Sequence, residues 1–340
     1  MNLEPIAVGD IAPDFVFAGH DGKEVNSRSD AIAGNPIVVV FCPHASSEDL
    51  EPLVCFARQL DCFSAHRARL FAVTLDKIDA SAANGFSFPI LSDRREKIFS
   101  SFRAPRDRLS TVVIRRNHHI AGIFRGTPEH QAAAALSLLA DMAWEREATL
   151  MRGHPPVLLV PDAFSRDDCA RLIKTFETTG KTFVEPQTAL DFLNGADYKM
   201  RIPEHMREDR VDHFFFERDI VALLRNRLNR VVPEIFKAFH YRITKYEALR
   251  MACYQGRRGG YSYGHRDNIA PFGYRRFAMS INLNTEEFDG GELRFPEFGD
   301  HRYRPETGTA IVFSSSLLHE AMHVTAGRRF VFLAFLFGET

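Results

Sequence analysis

The sequence predicts two domains, an α/β domain followed by a β-rich sandwich or barrel. Three observations carry this. The chain has 340 residues, long for one domain and suited to about two. Its first part alternates strand-like and helix-like patterns, whereas the part after Tyr246 is a series of short apolar strands separated by turn residues. Between them, residues 146–156 (REATLMRGHPP) change texture and hold one glycine and two prolines, which reads as a linker. The domains are placed at residues 1–148 and 155–340.

Composition narrows the classes. Hydrophobic residues make up 45% and charged residues 26%, enough apolar material for a core without a disulfide or metal staple. The 43 basic and 44 acidic residues leave a net charge of -1, so no global attraction to nucleic acid or acidic lipid is expected. No apolar run approaches the ~18 residues of a membrane span. The start, MNLEPIAVGDIAPDF, lacks the basic and apolar stretches of a secretory signal. The five cysteines (Cys42, Cys55, Cys62, Cys169, Cys253) form no CxxC pair, which suits reduced thiols in a cytoplasm. The 30 phenylalanines are read as core packing.

In the first domain, Ile37 to Phe41 (IVVVF) is a continuous β-branched run, as in a buried parallel strand. Ser46 and Ser47 offer caps to a helix with Leu53, Phe56, Ala57 and Leu60 on one face, and Cys55 and Cys62 share a face of that same helix. A strand at Leu70 to Leu75 and a short helix near Arg94 to Phe102 follow. Then come a hairpin of Leu109 to Arg115 with His119 to Phe124 and a helix from Pro128 to Arg146. Strand, helix, strand, helix, hairpin, helix is a thioredoxin-like order.

Val8-Gly-Asp-Ile-Ala-Pro-Asp-Phe15, the strand ending in Cys42-Pro43, and FPILSD at Phe88 to Asp93 resemble the peroxiredoxin branch of that fold. The resemblance implies a Pro-xxx-Thr-xx-Cys loop after the first core strand. Laid from Pro43, the Thr position is Ser47 and the peroxidatic position is Leu50. The thiolate that peroxide reduction requires is missing. The domain is therefore expected to be a redoxin fold without its peroxidase centre, with structural cysteines.

The second domain opens with a strand, VLLVP, at Val157 to Pro161. A helix follows, capped by Ser165 with Asp168 three residues on. Residues 182–212 are loop-rich and charged. Glu217 to Phe239 carries a stripe of Val221, Leu224, Leu228, Val231 and Ile235, and Pro233 is expected to kink or restart the helix. Arg225, Arg227 and Arg230 are read as its solvated face. The strands ALRMACY, RFAMSINLN, GELRFPEF, TAIVF and RFVFLAFLF, with turns at RRGG, DGG and ETG, suggest a sandwich or jelly roll.

The chemistry concentrates in the segment Tyr254 to Asn268. His265 and Asp267 stand two apart, so on an extended strand both face the same side. His319 follows strand TAIVF. Two imidazoles and one carboxylate make the facial triad that suits Fe(II) with open positions. After His319 come EAMHVTAGRR and an apolar strand. This order resembles the Fe(II)/2-oxoglutarate dioxygenases of the prolyl 4-hydroxylase type over residues 155–340.

The resemblance implies a double-stranded β-helix (jelly roll) with flanking helices and a metal site of His265, Asp267 and His319. It implies Arg329, ten residues after His319, on the distal carboxylate of 2-oxoglutarate, where a guanidinium fork fits. Arg328 is the rival one residue off. Tyr254 matches a position whose phenol can bond the co-substrate, and Ser280, Asn282 and Asn284 alternate on one strand face as further candidates. Tyr261 and Tyr263 are candidates for the substrate mouth, and Asn268 for orienting Asp267. His323 replaces a proline frequent in the family and is read as a loop substitution. His213, His240 and His301 are read as ordinary histidines.

The implied reaction uses Fe(II), 2-oxoglutarate and O2, with ascorbate as candidate reductant, and hydroxylates a C–H bond of an amino-acid, peptide or protein side chain. Asp267 favours hydroxylation over halogenation, because halogenating relatives lack the carboxylate. The expected partner is a small-molecule, peptide or protein substrate, with a homodimer as candidate assembly and no nucleic acid or membrane. Two rival readings are a thiol-based peroxidase or reductase, opposed by Leu50, and a non-catalytic binding protein, opposed by the intact triad.

Overall fold

The computed structural model describes residues 5–18, 22–29, 31–46, 50–78, 83, 85–142, 150, 153–178, 210–255 and 262–338. The chain divides into two compact units, Met1–Thr149 and Leu150–Thr340.

In the first unit, β1 (Val16–Ala18) and β2 (Glu24–Asn26) pair as an antiparallel ladder. The central sheet comprises β3 (Ile37–Phe41), β4 (Arg69–Thr74), β5 (Ile90–Ser92), β6 (Ser110–Ile114) and β7 (Ile120–Phe124), in the order β5-β4-β3-β6-β7. β3, β4 and β5 run parallel, and β6 and β7 are antiparallel. This is the thioredoxin-like arrangement.

The IVVVF run is buried along its whole length because both faces of the sheet are covered. Val38 and Val40 pack against Phe56 of α1 (Val54–Arg58), Phe63 of α2 (Leu60–Ala65) and Ala135 of α4 (Pro128–Asp141). Ile37, Val39 and Phe41 pack on the other face against Phe99 and Phe102 of α3 (Lys97–Phe102). α4 starts on Thr127, whose hydroxyl accepts from the His130 N–H, with Pro128 in the first turn. A side chain at Gly122 would come within 2.6 Å of Leu138, so the glycine lets α4 lie close on β7.

Two expectations change here. The helix after β3 breaks at Gln59 (φ -105°, ψ 11°) into α1 and α2. Cys55 and Cys62 therefore stand on separate helices rather than one, Cys55 half-buried and Cys62 exposed. α4 ends at Asp141, and residues 143–149 of the helix expected to reach Arg146 lie outside the described residues.

Among the described residues, every strand pair of the second unit is antiparallel. Its strands are β8 (Val157–Val160), β9 (Arg210–Phe214), β10 (Lys245–Tyr246), β11 (Arg250–Gln255), β12 (Ser262–His265), β13 (Phe277–Asn282), β14 (Phe288–Gly290), β15 (Leu293–Arg294), β16 (Arg302–Tyr303), β17 (Ala310–Ser314), β18 (His319–Ala321) and β19 (Val324–Phe337). The major sheet has the order β8-β17-β13-β19-β11-β9, with β10 and β14 also on β19, and the minor sheet is β12-β18-β15-β16. The fold is of the jelly-roll type.

β19 spans the major sheet's core and its alternation sorts two layers. Phe330, Phe332, Ala334 and Leu336 join the core with the helices α5 (Arg166–Thr178) and α6 (Arg218–Phe239). Arg329, Val331, Leu333 and Phe335 face the interior of the roll. Among the described residues, no helix is long and apolar enough to cross a membrane.

α5 begins with a reciprocal cap. The Ser165 hydroxyl accepts from the Asp168 N–H at 3.1 Å, and the Asp168 carboxylate accepts from the Ser165 N–H at 3.0 Å. Of the three α6 arginines expected on a solvated face, only Arg225 is exposed. Arg227 donates to Asp168 at 2.7 Å. Arg230 is buried and donates to the carbonyls of Asp162 and Ala163 in the turn before α5. Their stems lie along the apolar stripe while their heads reach fixed acceptors. Pro233 neither ends nor restarts α6, which runs unbroken to Phe239. Val231 and Ile235 are buried on either side of it.

Candidate metal centre

His265 closes β12 and His319 opens β18, and the antiparallel register sets the two residues opposite each other. Their rings lie 4.5 Å apart between centroids. Asp267 projects to the same side as His265, while the intervening Arg266 points outward to Glu297 at 2.7 Å. One ligand atom each from His265, Asp267 and His319 falls within 4.8 Å of the others. His265 Nε2 stands 3.4 Å from Asp267 Oδ1, and His319 Nε2 stands 3.3 Å from Asp267 Oδ2.

The donor set fits a divalent cation. His319 Nδ1–H donates to the Leu317 carbonyl at 3.0 Å, which leaves the lone pair on Nε2. Burial pushes the His319 imidazole below its ordinary pKa, with Asp267 opposing and His265 adding to the shift. A neutral Nε2 and a carboxylate oxygen then face each other at 3.3 Å, two acceptors that a cation between them would reconcile. Burial works to raise the Asp267 carboxyl. The hydrogen bond from His265 and the charges of His265 and Arg275 outweigh it, and hold the carboxyl below the ordinary carboxylate value.

The framework around the triad is stiff. Phe313 packs on the His319 ring at 4.6 Å. The Asp267 N–H donates to the Ser315 carbonyl at 2.9 Å, and its own carbonyl accepts from Arg275 at 3.2 Å. Arg275 is buried, forks onto Glu247 at 2.7 Å, and lies between the rings of Phe335 (3.7 Å) and Phe272 (4.0 Å).

The triad opens on a cavity whose wall includes Tyr254, Ser280, Arg250 and Arg329. Arg329 is 2% exposed, faces Tyr254 across the β11–β19 ladder, and donates to Asn282 Oδ1 at 3.0 Å. Its guanidinium lies 5.4 Å from the Tyr254 ring. A side chain at Gly291 would press within 2.8 Å of the Arg329 stem, so the DGG turn makes room for it. Arg328 is exposed and pairs with Glu177 at 2.6 Å.

The three polar residues of the β13 face divide. Ser280 lines the cavity, Asn282 holds Arg329, and Asn284 serves backbone by accepting from the Phe330 N–H and donating to the Arg328 carbonyl. Asn268 is half-buried beside Asp267. His323 is exposed in the turn before β19, and its carbonyl accepts from Gly291. His213 is buried against Phe215 and Phe176. Tyr261 and the side chain of Tyr263 lie outside the described residues. Sequence reasoning missed Arg250, Arg275 and Glu247, because no spacing rule marks a residue whose partner is set only by the sheet.

In the first unit, the peroxidatic position is filled by carbon. Leu50 is 2% exposed and packs with Leu53 and Phe56, and Ser47 lies outside the described residues. Cys42 is buried with its thiol toward the His44 carbonyl. Burial, helped by Glu129, pushes the Cys55 thiol up to about 11.

Residues 249–337 match the model of the 2OG-Fe(II) oxygenase superfamily, and residues 8–123 match that of the AhpC/TSA family. The two matches fall in separate units, the AhpC/TSA match in the first and the 2OG-Fe(II) oxygenase match in the second. The chain is 36% identical over 91 residues to the PKHD-type hydroxylase azo0608 of Azoarcus sp. (strain BH72), a match covering 24% of this chain and 40% of that protein. The chain thus spans less than half the length of the curated relative it matches. The peroxidoxin BcpB of Mycobacterium tuberculosis is similar at 22% identity over 40% of this chain and 97% of that one, with a TM-score of 0.37. The viral collagen prolyl hydroxylase vCPH of Paramecium Bursaria Chlorella virus-1 is similar at 17% identity over 54% and 96%, with a TM-score of 0.38.

Proposed function

We propose that the oxygenase domain is an Fe(II)- and 2-oxoglutarate-dependent hydroxylase acting on a C–H bond of an amino-acid, peptide or protein side chain. The observation that carries this is the convergence of His265, Asp267 and His319 within 4.8 Å at a cavity that also holds the buried Arg329. The three side chains hold the metal, and Arg329 binds the distal carboxylate of 2-oxoglutarate with Tyr254 beside it. Bound there, Fe(II) supplies O2 activation coupled to decarboxylation of 2-oxoglutarate, giving succinate and CO2. The chain's own part is geometric and electrostatic. Leu317 fixes the His319 tautomer, Asn282 aims the Arg329 fork, and the apolar residues of the wall exclude water. Ascorbate is the reductant that would keep the metal in its ferrous state. All five cysteines are thiols, which supports a cytoplasmic setting. The test is succinate release with Fe(II), 2-oxoglutarate, ascorbate and a panel of amino acids and peptides. A panel that stimulates release supports the reading, and failure to bind either Fe(II) or 2-oxoglutarate ends it.

A further inference from the structure

Two arginines line the cavity of the candidate metal centre, and the reading above uses one. Arg250 stands on the same inward face of β11 as Tyr254, four positions earlier, ~13 Å along the strand at ~3.3 Å per residue. Tyr254 is paired with Arg329 and Arg250 with Leu333. The two guanidinium groups therefore rise from separate stretches of the inner wall, with apolar Val331 and Leu333 on the β19 side of it.

Arg250 is held rather than loose. Its guanidinium lies 5.1 Å from the Phe335 ring and 5.6 Å from the Phe214 ring. Its Nη1 is 4.0 Å from the fully buried carboxylate of Asp212 on the neighbouring β9. A charged pair drawn this far out of water, with Arg250 half-buried and Asp212 fully buried, contributes little to folding that apolar residues of similar volume could not supply. Its placement on a reaction cavity calls for a reason in recognition. Rings beside the planar fork favour its N–H edge as the recognition surface, the geometry that suits a carboxylate.

We infer that Arg250 is the specificity-determining residue of this site and binds a free carboxylate of the molecule being hydroxylated. The substrate is then a small carboxylic acid, such as a free amino acid, rather than an internal residue of a protein. This rests on the hydroxylase reading above and goes beyond it by choosing among its substrate classes. Asp212 holds the fork in place between substrates.

The experiment is a titration by calorimetry of the full chain loaded with Mn(II) and 2-oxoglutarate. The probes are acetate, butyrate and the free L-amino acids, each amino acid that binds being compared with its α-amide. The same titrations are run on Arg250→Met and Arg250→Lys and on the metal-free chain, with the thermal midpoint of each protein recorded. The expected result is that at least one carboxylate binds the parent and its amide binds about thirtyfold more weakly or worse. Arg250→Met loses that carboxylate by a similar factor, Arg250→Lys retains part of it, and 2-oxoglutarate affinity stays unchanged in both. If Arg250→Met lowers the midpoint sharply, Arg250→Lys with its charge intact carries the comparison. Three outcomes overturn the inference: no probe binds the parent, amides bind as well as acids, or the Arg250 variants weaken 2-oxoglutarate instead. Loss of Mn(II) or 2-oxoglutarate binding by the parent counts against the hydroxylase reading alone, because the metal-free titration still reads Arg250.

Discussion

The two units treat their reaction positions in opposite ways. In the redoxin-like unit the strand and the helical segment that follows it are intact, yet Leu50 fills the place of the sulfur and is sealed into the core. In the oxygenase unit the corresponding investment is polar. Two histidines, an aspartate, a buried arginine and a half-buried arginine gather around one cavity. Packing can survive the exchange of a thiol for an isobutyl group, whereas a cluster of charged groups in a low-dielectric interior is costly unless something is bound there. A fold does not by itself carry its chemistry, so the site has to be read residue by residue.

The largest expected effect tests the polar half of this contrast. His265→Ala or Asp267→Ala should abolish succinate release with an unchanged far-UV circular dichroism spectrum. Full turnover in either variant would remove the iron-site assignment. Next comes the register of β19. Arg329→Ala strips the distal carboxylate of its partner, a loss of about 2 to 5 kcal/mol in a desolvated site, read as a rise in the 2-oxoglutarate KM. Arg328→Ala, exposed and paired with Glu177, should leave KM nearly unchanged, and the reverse order would move the anchor by one residue.

The silent half is tested by thiols. A variant with Cys42, Cys55 and Cys62 all changed to Ser should keep 2-oxoglutarate turnover, and the parent should consume peroxide only at background. In alkylation at pH 8, exposed Cys62 should label first and Cys55, pushed up to about 11, far more slowly. Enzyme-like peroxide consumption by the parent, lost in the variant, would restore catalysis to this unit.

The smallest effect separates the units by pH. Burial, reinforced by Arg28 and opposed by Asp14, pushes His118 down to about 4. The folded state then binds its proton less readily than the unfolded chain. This contribution is complete above the unfolded pKa near 6.5 and is lost as pH falls from there toward 4. Calorimetry should show a thermal transition that loses a few degrees over this range, and His118→Asn should flatten the slope. An unchanged slope would remove His118 as its source.

What was legible in the sequence had a short period. The β-branched run of β3 announces burial on two faces, and strict alternation along β19 separates Arg329 from Arg328 before any coordinate is known. The spacing of His265 and Asp267 puts both on one side of the chain for the same reason. What was not legible depends on partners distant in sequence. Arg227 and Arg230 look like a solvated helix face until β8 and α5 bring Asp168 and the Asp162 carbonyl to them. The break at Gln59 has no proline or glycine to mark it. Arg250 and Arg275 declare themselves only once the sheet has curled, because their neighbours come from β9, β19 and Glu247.

The brace of Arg275 on Glu247 and on the Asp267 carbonyl bears on how such a protein is loaded. A ligand loop pinned by a buried ion pair and two aromatic rings is assembled by folding itself, not by the ion. Metal uptake then costs little chain entropy, and occupancy follows supply. Chelation should strip the site reversibly, shifting the melting temperature only by the mass-action amount set by affinity and free ion.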